Sequence, residues 1–175
     1  RNTRLVMEFF LDEVLAHQTG PVLDFLLKTS VLERLSDGLC DAVVGHEVPA
    51  DERPRLATLA HSALFLVSLD EEGTWYRYHP LFKALLRRRL ENVSGPETTA
   101  VLHGRAGVWL AAHGFAEEGL RHLLAAGDVA AVVALIEDRR HDLLDQGDMR
   151  GLTRWLGLLP EDAVLSPYLK VIDLD

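Results

Sequence analysis

The residues best placed to do chemistry lie where the sequence changes from a strand-like to a helical pattern. Residues 75–79 read Trp-Tyr-Arg-Tyr-His, an aromatic-rich run that favours a strand, and Pro80 favours the first turn of a helix. Alternation along the strand places Arg77 and His79 on one face. The start of a helix attracts anions, and histidine can donate a hydrogen bond to a phosphate. His79 is therefore a candidate phosphate contact, and Arg77 is a weaker one. In the alternative interpretation, His79 only caps the helix and packs under the hairpin.

Other kinds of chemistry find little support in the 175 residues. No Gly-x-x-x-x-Gly-Lys-Ser/Thr phosphate loop occurs, and no pair of the eight histidines has the spacing of a helical metal site. Cys40 stands alone and is expected to be a buried structural thiol. We therefore expect no enzymatic activity, no bound metal and no complete nucleotide site in this chain.

Composition restricts the partners and the compartment. A formal net charge of −9 argues against direct nucleic-acid binding, and the basic run 87–89 is expected to be a solvated helix face. No apolar run is long enough for a membrane span, and no secretion leader is visible. With a single cysteine, these features favour the cytoplasm. Because Arg1 opens directly into a helical pattern, we expect this chain to be a piece of a longer protein.

The first half has the order of a winged helix. Period and capping residues predict helices at about 3–18, 20–30, 36–44 and 52–61, then strands at 63–69 and 75–79 joined by a turn at 70–73. A further helix should run from Pro80, burying a stripe that includes Leu86 and Val93. In the first helix, Val6 and Phe10 are expected to share an apolar face. Three short helices followed by a hairpin predict a winged-helix domain over residues 1–93.

The second half is predicted to be a helical array over residues 96–175, after a polar Gly-Pro break. Helices are expected at about 97–113, 116–126, 128–146 and 149–158, joined by tight turns at Gly114, Gly127 and Gly147. His113-Gly114 and Gln146-Gly147 stand 33 residues apart, close to the period of tetratricopeptide (TPR) repeats. The fold class is therefore mainly α: a winged helix with a small β-hairpin, then a TPR-like antiparallel array. Its aromatic residues either line a groove or pack in the core; these are Trp109, Trp155 and Tyr168.

Several segments together resemble one family. Residues 76–86, Tyr-Arg-Tyr-His-Pro-Leu-Phe-Lys-Ala-Leu-Leu, are similar to the stretch that closes the nucleotide-binding module of MalT-like regulators of the LuxR type, which are ATP-dependent STAND-class transcription activators. Further segments in the same order resemble the winged-helix opening and the start of the helical repeats of that family; they are 25–32, 39–45, 102–106, 111–114 and 125–128.

The resemblance implies a function. The chain would be a central regulatory segment that relays nucleotide state from an ATPase domain to sensor and DNA-binding domains elsewhere in the parent protein. ATP or ADP would be bound by the parent, a protein or small-molecule inducer would act at the repeats, and His79 would contact the terminal phosphate of ADP. Related proteins often carry an acidic residue where this chain has Pro80. The alternative function is a protein–protein interaction module, such as the regulatory arm of a kinase or an adaptor.

Overall fold

The computed structural model describes residues 2–62 and 65–163. It is mainly helical, with a two-stranded antiparallel sheet. Contacts divide the chain into two compact units, Arg1–Ala106 and Gly107–Asp175. The expected fold class, a winged helix with a small hairpin followed by a helical array, is confirmed.

Helices and a hairpin build the first unit. The elements, in chain order, are α1 Asn2–Ala16, α2 Gly20–Thr29, α3 Asp37–Val44, α4 Leu56–His61, β1 Leu66–Ser68, β2 Tyr76–Tyr78 and α5 Pro80–Val93. Local signals explain several of the ends. Pro21 opens α2, and the Ser36 hydroxyl accepts a hydrogen bond from the Leu39 N–H to cap α3. Gly45, at φ 58°, ends α3 in a conformation that favours glycine.

The hairpin places the candidate site. β1 and β2 pair antiparallel, with Leu66 opposite Tyr78 and Ser68 opposite Tyr76. The predicted alternation in β2 is confirmed, since Tyr76 and Tyr78 are buried while Arg77 is exposed. Leu35 adds a further bridge that the sequence did not predict, with both backbone hydrogen bonds to Tyr76 formed.

The buried face of β2 is tied to α2 by a polar contact. The Tyr78 hydroxyl lies 2.7 Å from the Thr29 hydroxyl, and both residues are buried. The Thr29 hydroxyl also donates to the Phe25 carbonyl at 2.8 Å, so the buried hydroxyl pair is satisfied. The strand that leads to His79 therefore has a fixed position over the helical core.

Three sequence predictions about the first unit were wrong. α4 begins at Leu56, four residues later than expected, because Pro54 holds Arg53 in extended geometry. In α1, the predicted apolar face is exposed: Phe10 is 55% accessible, whereas Leu11 is 1% accessible. That helix is apolar on most sides, so periodicity cannot select the buried side. Val93 is 72% exposed because it ends α5 beyond the core.

The remaining helices repeat a hairpin pattern. They are α6 Pro96–Ala112, which begins in the first unit, then α7 Ala116–Ala125, α8 Val129–Asp145 and α9 Met149–Leu156. Moving the bounds of α6 by 33 residues gives those of α8, and the start of α7 moves to the start of α9. The three predicted glycine turns are confirmed; Gly114, Gly127 and Gly147 all have positive φ. The predicted domain limits, 1–93 and 96–175, stay predictions.

Candidate functional site

His79 is the N-cap of α5. The ring Nδ1 accepts a hydrogen bond from the Leu81 backbone N–H at 3.3 Å. The backbone N–H of His79 donates to the Phe65 carbonyl at 2.6 Å. A ring nitrogen that accepts from an N–H is unprotonated, so the neutral ring carries its proton on Nε2. The residue is exposed, and Nδ1 makes the only hydrogen bond of the ring within the described part of the chain. Capping therefore sets the tautomer in which Nε2 can donate to an anion.

The backbone at the start of α5 contributes little to anion binding. Pro80 has no N–H, the Leu81 N–H is taken by the His79 ring, and the Lys83 N–H donates to the His79 carbonyl at 2.9 Å. Any phosphate at this position would be read mainly by the His79 side chain. The two sequence interpretations of His79, cap and phosphate contact, are thus compatible, because one ring nitrogen serves each.

Sequence reasoning did not find Phe65, which lies directly beside His79. The two rings make an edge contact with centroids 6.5 Å apart, in addition to the backbone hydrogen bond. Phe65 falls in the apolar run before β1, and nothing in that run signals a special backbone conformation. Arg77, the weaker candidate, lies exposed in β2 opposite Val67, two residues before His79.

The basic run at 87–89 is engaged with acidic side chains. Arg89 binds Asp12 at 2.9 Å, Arg88 lies 3.8 Å from Glu8, and Arg87 lies 3.8 Å from Glu91. Two of these acids belong to α1, so the run pairs α5 with α1. This pairing leaves less basic surface for nucleic acid than the sequence alone displays.

An ion-pair hub joins three elements of the first unit. Lys28 lies 2.5 Å from Glu47 and 2.9 Å from Asp24, while Arg105 reaches Glu47 at 2.9 Å and the Val43 carbonyl at 3.0 Å. The hydrogen bonds from Lys28 and then Arg105 lower the pKa of Glu47. Burial opposes the charge on Lys28, but its hydrogen bonds to Glu47 and Asp24 outweigh that effect and raise its pKa. The hub fixes helix positions, and its two cations, Lys28 and Arg105, are both engaged by protein partners.

Buried titratable groups next to the core are structural. Burial raises the pKa of the Cys40 thiol well above its usual range, as expected for an unreactive thiol. Burial also raises the pKa of Tyr78, so its hydroxyl stays protonated and bound to Thr29. Within the described residues, no cluster of histidine, cysteine and acidic side chains could hold a metal ion.

The two tryptophans of the second half lie in different surroundings. Trp155 is buried in the core with Leu120 and Ile136, whereas Trp109 is only partly buried and stacks on His113 with ring centroids 3.8 Å apart. Tyr168 lies outside the described residues. For Trp155 the groove interpretation is wrong, since helix packing takes up its ring.

A separate open groove runs along the first turns of α8. Its volume is about 470 Å³, and its lining is mostly small and apolar. The lining residues are Val129, Ala130, Val133, Ala134, Glu137, Asp162 and Ala163. None of the helices in the described ranges is long and apolar enough to cross a membrane.

Comparison with known proteins gives two kinds of relative. Serine/threonine-protein kinase PknK of Mycobacterium tuberculosis is 36% identical over 162 residues, which are 93% of this chain and 14% of the kinase. HTH-type transcriptional regulator MalT is 30% identical in Cronobacter sakazakii and 31% in Klebsiella pneumoniae, over 94% of this chain and 18% of each regulator. The chain thus spans less than a fifth of the length of these curated relatives.

The family comparison covers the part of the chain that carries the candidate site. Residues 11–99 match the family model for the MalT winged helix domain. That range contains α2 to α5, the hairpin and His79, and it makes up half of the chain. The chain therefore belongs to the MalT winged helix domain family.

Proposed function

We propose that this chain is the regulatory segment through which a longer protein passes nucleotide state from an ATPase domain to its output domain. His79 contacts the terminal phosphate of ADP held by that ATPase domain. The α6–α9 hairpins form the start of a TPR-like array that receives a protein or small-molecule inducer. The parent protein acts in the cytoplasm, and this segment itself is not catalytic and does not bind DNA directly.

The observation that carries this proposal is that the two nitrogens of the His79 ring have different roles: Nδ1 caps α5, and Nε2 is left to donate a hydrogen bond. Nδ1 is occupied by the Leu81 N–H, which directs the remaining proton to Nε2. The described residues offer that donor at the start of α5 but no loop that encloses a chain of phosphates. They fit one contact to a nucleotide bound elsewhere, and we expect the isolated chain to have no useful affinity for ATP or ADP.

A second candidate output is supported by a specific observation. The 36% identity to the PknK kinase extends over 93% of this chain, so a closely similar segment occurs in a protein kinase. In that case the segment is the regulatory arm of a kinase, and the output is phosphorylation instead of transcription. The adjoining sequence of the parent decides between them, because a kinase domain and a C-terminal helix-turn-helix are each recognisable.

The test uses two substitutions in the full-length protein that separate the two roles of His79. His79→Asn keeps a side-chain oxygen near the position of Nδ1 and can still cap α5, but it has no donor near Nε2. His79→Ala removes both functions. A hydrogen bond to a charged phosphate contributes about 1.5–3 kcal/mol, so both variants should bind ADP roughly tenfold to a hundredfold more weakly.

Thermal stability provides the second measurement. Only His79→Ala should lower the melting temperature, because losing a cap costs about 1 kcal/mol. Asp128→Ala is the matched control, since Asp128 caps α8 by accepting from the Ala131 N–H at 3.0 Å. It should lower stability and leave ADP affinity unchanged. Unchanged ADP affinity in both His79 variants would reject the phosphate contact and leave the capping role alone.

A further inference from the structure

Phe65 has a backbone conformation that its side chain disfavours. Its φ is 53°, and among the residues at 2–62 and 65–163 no other non-glycine residue has a positive φ. For a bulky L-residue the left-handed region is sterically unfavourable. Such conformations persist only where neighbouring contacts enforce them, and they gather at functional sites.

The contacts that enforce this conformation converge on His79. The Phe65 carbonyl accepts the His79 N–H at 2.6 Å, and its ring meets the His79 ring edge-on at 67°. On its other sides the Phe65 ring packs against Phe82, with centroids 5.7 Å apart, and against Phe10, 6.2 Å apart and nearly perpendicular. Phe82 is fully buried, so it gives the Phe65 ring a fixed support.

From this geometry we infer that Phe65 is a positioning residue for His79. Its carbonyl fixes the His79 backbone, and its ring restricts rotation of the imidazole, so that Nδ1 stays on the Leu81 N–H and the proton stays on Nε2. The strained backbone at Phe65 is what allows one residue to supply both contacts. Phe10, on α1, supports the Phe65 ring from behind.

The functional meaning of this inference rests on the proposed phosphate contact of His79, but its physical content can be tested without nucleotide. The probe is the His79 ring in the 175-residue chain labelled with ¹⁵N-histidine, with the His79 signals assigned by their loss in His79→Gln. In the unsubstituted chain the two ring nitrogens should show the Nε2–H tautomer. Phe65→Leu should shift them towards a tautomer mixture, and Phe65→Tyr, which keeps the ring, should restore the original signals.

Two further variants distinguish a specific effect on His79 from a general loss of folded structure. Phe10→Leu removes the supporting ring without altering Phe65, and it should move the His79 signals in the same direction by a smaller amount. Phe9→Leu is the matched control, because Phe9 lies on the same helix and is 68% exposed. It should leave the His79 signals unchanged. If Phe65→Leu and Phe10→Leu leave the tautomer unchanged while lowering the melting temperature, Phe65 is core packing only and the inference is wrong.

A double-mutant cycle in the full-length protein then separates failure of the inference from failure of the proposed function. Phe65→Leu should weaken ADP binding about tenfold in the unsubstituted protein and have no further effect beside His79→Ala. An equal loss in both backgrounds would show that Phe65 acts elsewhere and would overturn the inference. If His79→Ala alone leaves ADP affinity unchanged, the proposed function fails, and the tautomer measurement still decides the positioning role.

Discussion

The two units of this chain hold their helices together in different ways. The first unit uses polar contacts between residues far apart in sequence, such as Thr29 with Tyr78 and Asp12 with Arg89, which are 49 and 77 residues apart. The second unit is built from helical hairpins, and its turns at Gly127-Asp128 and Gly147-Asp148 have the same local geometry, with a φ of 71° at each glycine. In both turns the aspartate caps the following helix, α8 or α9. A unit built on distant contacts can hold a residue such as His79 at one fixed position, whereas a repeated hairpin provides an extendable scaffold.

The largest difference in stability between the two units should come from disturbing the close backbone packing between α6 and α7 in the second unit. A Cβ placed on Gly119 would lie 2.8 Å from the Gly107 carbonyl oxygen and 3.0 Å from the Ala111 nitrogen. These are backbone atoms that cannot move aside, so Gly119→Ala should destabilise the second unit by about 1–3 kcal/mol. Tryptophan fluorescence during thermal unfolding measures the stability of each unit separately. In single-tryptophan variants, Trp155 reports unfolding of the second unit and Trp75 reports unfolding of the first.

Gly104→Ala, at a helical glycine of α6 with open space around it, is the control. A Cβ on Gly104 meets nothing within 4 Å, so the substitution should stabilise by about 0.5–1 kcal/mol through helix propensity alone. Opposite signs for the two Gly→Ala changes would confirm that packing, not propensity, requires Gly119. If both substitutions instead raise stability by a similar amount, α6 and α7 can move apart at little cost.

In the first unit the corresponding test is the buried hydroxyl pair. Tyr78→Phe removes one hydroxyl and should cost about 1–2 kcal/mol, and Thr29→Val should cost a similar amount because it leaves the Tyr78 hydroxyl buried without its partner. The double variant removes both polar groups and should cost clearly less than the sum of the two. Urea unfolding of the three variants gives the coupling energy. Strict additivity would mean that the 2.7 Å contact contributes nothing to holding β2 over α2.

The same contrast explains what the sequence could predict. In the second half, all four helices and the three glycine turns follow from period and turn residues, because each helix packs against its sequence neighbour. The first half gave the winged-helix order and the hairpin, but two features escaped. The bridge from Leu35 to Tyr76 and the left-handed Phe65 depend on distant partners, and neither leaves a mark in the local pattern.

For the candidate site, sequence reasoning predicted the position of His79 at the start of α5 but not the contact with Phe65. Aromatic alternation and Pro80 placed His79 at the start of α5, and the capping contact there is confirmed. The tautomer could not be predicted, because it depends on which backbone N–H the ring meets. The apolar face of α1 was chosen wrongly for a related reason. The helix has apolar residues on more than one side, and tertiary packing, not periodicity, decides that Leu11 is the buried one.

Acid should act on the first unit through two of its groups. Hydrogen bonds from Lys28 and Arg105 lower the pKa of Glu47 below its usual 4.5, so its contribution is present above pH 4.5 and is lost as the pH falls through the lower folded value. Burial, then the neighbouring cation of Arg87, lowers the pKa of His103 below 6.5. As the pH falls, His103 is therefore protonated in the unfolded chain before it is protonated in the folded chain. The free energy of unfolding starts to fall below pH 6.5.

The expected result is a two-step loss of stability, with the first step below pH 6.5 and the second below pH 4.5, reported by Trp75. Glu47→Gln should remove the lower step and cost roughly 1 kcal/mol or less at neutral pH, because Glu47 is about half exposed and water screens its ion pairs. His103→Gln should remove the upper step. Glu117→Gln, which affects an exposed ion pair with Arg154 in the second unit, is the matched control and should leave both steps in place. A profile that Glu47→Gln does not alter would show that the ion-pair hub has no part in acid stability.

The smallest effect concerns the basic run at residues 87–89. It tests whether these arginines stabilise the fold or bind a ligand. Arg89 and Asp12 are both partly exposed, so Arg89→Asp or Asp12→Arg alone should cost about 0.5–1 kcal/mol. The double charge swap should regain most of that loss, whereas Arg150→Asp, at an exposed arginine of the second unit, should change stability little. Because Arg88 and Arg89 pair with α1 and Arg87 pairs with Glu91 of α5, the run should not retain duplex DNA at moderate ionic strength. If the two losses simply add and salt-sensitive DNA binding is found, the arginines are a free basic face, and the first unit has a nucleic-acid surface after all.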